Sequence, residues 1–89
     1  MAFIDLDALA QFEQEARNGR AEALYNLGLA FSTGQGAAVD YVAAHKWFNL
    51  AALRGNEEAK RYRLELAREM SKAEIAQAQR LAREWLVRH

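Results

Sequence analysis

The 89-residue chain has neither cysteine nor proline. Lacking cysteine, it can build no disulfide framework, thiolate zinc site or thiol nucleophile. Its only histidines, His45 and His89, stand too far apart in sequence to make a metal-binding pattern. No apolar run approaches the length of about 20 residues that a membrane helix needs. The opening MAFIDLDALAQ carries Asp5 and Asp7 and lacks a basic leader and a long apolar stretch. A secretory signal is therefore not expected, and a cytoplasmic protein is. Strand signals are weak. Net charge is zero, with 12 acids balancing 12 bases.

What remains is rich in Ala, Leu, Glu, Arg and Gln, the residue types that favour helix. Hydrophobic residues make up 52% of the chain, which argues for one packed domain rather than disorder. At this length a single core forms without much margin. Asp5 is placed to cap a first helix over 6–18, with an apolar stripe of Leu9, Phe12 and Ala16, Ala8 beside it, and Gly19 as its stop. A second helix over 20–32 gathers Arg20, Ala23, Leu24, Leu27 and Phe31 on one face. Gly28 lies inside it at a cost of roughly 1 kcal/mol, which the close approach of a neighbouring helix would explain. Gly34 and Gly36 reverse the chain, and Asp40 caps a third helix over 41–54 striped by Ala44, Trp47, Phe48, Ala51 and Ala52. Asn56 caps a fourth over 57–69, with Ala59, Tyr62, Leu66 and then Met70 on its stripe. Ser71 and Glu74 fit a capping box, opening a fifth helix that runs to 87 with Ile75, Ala78, Leu81, Ala82, Trp85 and Leu86 inward.

Sliding the chain by 36 positions exposes an internal repeat: Ala8, Phe12, Ala16, Gly19 and Ala23 fall on Ala44, Phe48, Ala52, Gly55 and Ala59. Gln11 then stands opposite Trp47, and Glu15 opposite Ala51. Polar residues at those two positions suit a capping unit with nothing stacked outside it. The expected division is a capping half-repeat over 1–19, a full repeat over 20–55 and a modified helical hairpin over 56–89. The pattern Ala23, Leu27–Gly28, Phe31, Gly34-x-Gly36, Asp40, Ala44, Trp47–Phe48, Ala51–Ala52, Gly55, Ala59 resembles the Sel1-like repeat, a relative of the tetratricopeptide repeat. Two departures stand out: Ala37 replaces the usual Val after the second glycine, and the last unit has no glycine turn. The resemblance implies an all-α chain, a short α-solenoid of about five antiparallel helices in a right-handed superhelix. It also implies a non-catalytic adaptor or scaffold in protein complexes, often bacterial.

Catalysis has little to stand on. Asp40, the one acid near His45, already has a capping role, and the adjacent Glu57 and Glu58 sit at a helix start where acids are expected. Gly34-x-Gly36 follows no strand and has no third glycine, so it does not read as a phosphate loop. No enzyme activity, cofactor or metal is expected. Charge is uneven, −4 up to His45 and +4 from Lys46 onward. An acidic end and a basic end would suit head-to-tail contact or an anionic partner; the simpler reading is solvated helix faces laced with local pairs at Glu57–Arg61, Arg80–Glu84 and Glu84–Arg88. Two other partner classes stand beside protein. Arg54, Lys60, Arg61, Arg63, Arg68, Lys72, Arg80 and Arg83 would have to face a nucleic acid, but six glutamates interleave with them. A second copy of the chain would cover an open end of the array in a small homo-oligomer. For a protein or peptide partner, the site expected is the first-helix face of each pair, concave in stacked arrays. There Glu22, Tyr25, Asn26, Leu29 and Ser32 align by the 36-residue offset with Glu58, Arg61, Tyr62, Glu65 and Arg68. Tyr62 has a rival claim as core, because it shares the stripe of Ala59 and Leu66.

Overall fold

Helical periodicity and glycine stops divide the chain into five helices, described over residues 6–88 by a computed structural model. They are α1 (Leu6–Arg17), α2 (Ala21–Thr33), α3 (Tyr41–Leu53), α4 (Glu57–Ala67) and α5 (Lys72–Arg88), and the described residues contain no strand. The capping role expected of Asp5 lies outside the described residues. The other caps can be followed atom by atom. Gly34 ends α2 in the left-handed region at φ 81°, and its N–H donates to the Ala30 carbonyl at 3.0 Å. Gly36, at φ 91°, completes the reversal, and the Asp40 N–H donates back to the Phe31 carbonyl at 2.9 Å. The Asp40 carboxylate then accepts from the Ala43 N–H at 3.1 Å and starts α3. The Asn56 side chain does the same for α4, accepting from Ala59 at 2.8 Å. Ser71 and Glu74 bond reciprocally, 2.8 Å and 3.1 Å, to start α5.

α4 stops at Ala67, two residues short of the expected 69. Its last turn tightens, with the N–H groups of Arg68, Glu69 and Met70 each donating three residues back. Such bonds satisfy carbonyls that an α-helix end leaves orphaned.

α3 is the hub. It packs on α2, α4 and α5, while α1 packs on α2. Ala23, Leu24, Leu27, Ala44, Trp47, Phe48, Leu50, Ala51, Ala59, Ala82 and Trp85 form one buried cluster, joined at its edge by Ala16. Large and small residues interlock in it. A Cβ built on Gly28 would lie 2.4 Å from Cδ1 of Phe48, so the ring of α3 occupies the space where a side chain on α2 would begin. Trp47 meets Trp85 edge-on with ring centroids 5.9 Å apart. That contact ties α5 to α3, and α4 and α5 both lean on α3 rather than on each other.

Three details differ from the sequence reading. Leu86 is exposed rather than inward, because the stripe Ala78, Ala82, Trp85 fixes the buried side of α5 and Leu86 falls a step round from it. Glu15 is half-buried, whereas Gln11 faces solvent as a cap requires. Arg61 pairs with Glu58, not Glu57, and of the two pairs expected on α5 only Arg80–Glu84 forms, at 3.9 Å. Among the described residues no helix is long and apolar enough to cross a membrane.

Candidate functional site

The first helices α2 and α4 meet over an aromatic cluster supplied from three elements. Tyr25 of α2, Phe48 of α3 and Tyr62 of α4 lie within 6.0 Å of one another by ring centroid: Phe48–Tyr62 is stacked at 5.6 Å, and Tyr25 is tilted against both. Gly28 makes this possible, since its missing side chain lets Phe48 reach the α2 backbone. Burial raises the pKa of the Tyr25 hydroxyl above its ordinary value, and Tyr62 and Glu58 push it the same way. Arg61 lays its guanidinium over Tyr62, 5.6 Å from the ring centroid, while paired to Glu58.

Two hollows lie on this side of the α2 and α4 helices, one of them bordered by the cluster. One, of about 240 Å³, is lined by Ser32, Tyr41, Phe48, Tyr62, Glu65, Leu66 and Glu69. The other, of about 190 Å³, lies between α1 and α2 and is lined by Phe12, Asn26, Leu29, Ala30, Thr33 and Gln35. Of the ten residues expected from the repeat offset, Tyr25, Asn26, Leu29, Ser32 and Tyr62 are half-buried, and Glu22, Glu58, Arg61, Glu65 and Arg68 are exposed. Tyr25 and Tyr62 touch, and Ser32, Tyr62 and Glu65 share one hollow. Asn26 and Leu29 open instead toward α1, and Glu22 and Arg68 line neither hollow. Tyr62 serves both roles, stacked on buried Phe48 and lining an open hollow.

The offset of 36 compares only like helices, so it missed contributions from other elements: Phe48 and Tyr41 of α3, and Phe12 of α1. A signal for Phe48 was present, as the large residue on the helix that faces Gly28.

The Asp40 carboxylate is engaged at the α3 cap, leaving His45 without an orienting acid. His45 is buried, and burial, followed by the nearby Arg63 charge, holds its pKa below the ordinary histidine value. Its Nδ1 has no hydrogen-bond partner. Among the described residues no group of three or more His, Asp or Glu side chains is placed to hold a metal ion. Four of the eight basic side chains are engaged with separate partners. Arg54 lies against Gly19 at the α1–α2 turn, Arg63 bonds to Asn49, and Arg61 and Arg80 are paired to glutamates.

Residues 21–56 match the family model of the Sel1 repeat. No curated protein is similar enough to the chain to match it. Sel1 repeats generally mediate contacts between proteins, and the family is typically non-catalytic.

Proposed function

From the premise that residues 21–56 are a Sel1 repeat, we propose that this chain is a cytoplasmic, non-catalytic adaptor. It holds a protein or peptide partner on the face shared by α2 and α4. The repeat is flanked by a capping half-repeat over 1–19 and a modified hairpin over 56–89. The observation that carries the reading is the half-buried aromatic pair Tyr25–Tyr62, beside the hollow that Tyr62 lines and bordered by Glu58, Arg61 and Glu65. Aromatic residues in a partly desolvated centre, with arginine and acidic groups at the rim, make a composition suited to a binding site. Engagement of Arg61, Arg63 and Arg80 with neighbouring side chains weighs against a phosphate-binding role for them.

Truncating Tyr25 would damage the core cluster it packs on, so the rim makes the cleaner test. The variant Arg61→Glu, Glu65→Lys changes only exposed side chains. Affinity capture from the source cells with the parent protein and with this variant should give one main partner for the parent and lose it for the variant, with melting temperatures alike. Retention of every captured protein by the folded variant contradicts the proposal.

A further inference from the structure

On the side of α4 away from the aromatic cluster lies the largest of the three hollows, about 330 Å³, between α4 and α5 with α3 as its floor. It exists because α4 and α5 both lean on α3 and stand apart. Leu64, Ala67 and Ile75 give it apolar walls, and His45, Asn49 and Arg63 form a polar base. This size is at the lower end of the range of roughly 300–1,000 Å³ for small-ligand sites.

Arg63 defines the chemistry. It is half-buried, and one of its N–H groups donates to the Asn49 side-chain oxygen at 2.6 Å, which fixes the guanidinium against α3. Among the described residues it makes no ion pair, whereas Arg61 on the same helix does. A partly desolvated cation is stabilised most by an anion that its planar fork can grip with two hydrogen bonds. No other Lys or Arg lines the hollow, so a doubly charged phosphate would be left half neutralised. The buried imidazole of His45 adds a polar edge to the floor beside the guanidinium.

We propose that the cleft between α4 and α5 binds a carboxylate carried on a short aliphatic group, its oxygens on Arg63 and its apolar end against Leu64, Ala67 and Ile75. The same chemistry is supplied by a free branched acid or by a peptide ending in valine with a free terminus.

The test is a titration of the full chain followed by nitrogen-15 NMR, using isovalerate, isovaleramide, and a valine-terminated peptide as acid and as amide. The carboxylate probes should shift the Asn49 side-chain amide and the Ala67 backbone amide saturably, and the amides should not. If only the peptide acid binds, the source is a chain terminus; if isovalerate binds equally well, it is a free acid. Arg63→Gln should weaken binding at least tenfold, and Gln79→Glu, an exposed change at the cleft wall, should abolish it by setting a carboxylate beside Arg63 without disturbing the fold. Equal binding of acid and amide, unchanged affinity in both variants, or no saturable shift with any probe overturns the proposal.

Discussion

Trp47 and Gly28 mark the two extremes of size in this core, and each supports a prediction at the scale of a single side chain. Trp47 is buried between α3 and α5, where it meets Trp85. Its replacement by Ala should cost about 3–5 kcal/mol, the range for large aromatic deletions. That is a large part of the whole stability expected for a small domain, so urea unfolding should show a marginally folded or unfolded variant. Gly28→Ala acts in the opposite sense, pressing a methyl group into the Phe48 ring, and should cost about 1–3 kcal/mol. In a Phe48→Leu background that cost should shrink, since the obstructing ring is gone; an unchanged cost would move the cause elsewhere. His45 gives a pH effect. Burial and Arg63 hold its folded pKa below the unfolded value of about 6.5, so the unfolded state takes up the proton first. Stability is complete above that value and falls as pH drops through it, a slope that His45→Leu should flatten in denaturation curves at pH 7.5 and 5. Much of this was legible in sequence: the alternation of Trp47 and Phe48 with Ala44 and Ala51 marked the α3 stripe. The position of His45 in the floor of a cleft was not, because it depends on how α5 is placed, and no local pattern records that.

Among the elements, the caps were the most readable feature and the ends of helices the least. Asp40, Asn56 and the Ser71–Glu74 box all cap where a short polar side chain precedes an apolar period. Asn56→Ala should lower stability by about 1 kcal/mol, with the fold intact. The turn between α2 and α3 allows a finer comparison. Both Gly34 and Gly36 have positive φ, a backbone that costs an L-residue about 1–2 kcal/mol. A Cβ at Gly36 meets nothing within 4 Å, whereas one at Gly34 comes 3.0 Å from the Val39 side chain. Gly34→Ala should therefore melt below Gly36→Ala in a thermal scan, and the reverse order would contradict the packing of Val39. The early end of α4 was hidden because Arg68 and Glu69 are good helix formers. Tightening of the last turn before the Ser71 box overrides their propensity. Choice among near-equal ion pairs, Glu58 over Glu57 for Arg61, was hidden because each is worth only a few tenths of a kcal/mol.

For the molecule as a whole, the accessible surface is 5764 Å². A standard contact takes roughly 800 Å² from each partner, so one such contact fits comfortably on the chain. The 36-residue offset pointed to α2 and α4 as the pair of like helices, and the aromatic contact between Tyr25 and Tyr62 joins them. It did not anticipate that Asn26 and Leu29 open toward α1, which widens the candidate face beyond the two first helices. The central claim is that this face, rather than the outer end of α5, holds the partner. Site-specific photocrosslinking tests it most directly, with a photoreactive residue placed at Leu29 in one protein and at Val87, 88% exposed on α5, in another. The account predicts one discrete adduct from position 29 in living cells, none from position 87, and loss of the first adduct in the Arg61→Glu, Glu65→Lys background. A discrete adduct from position 87 with none from position 29 would contradict it.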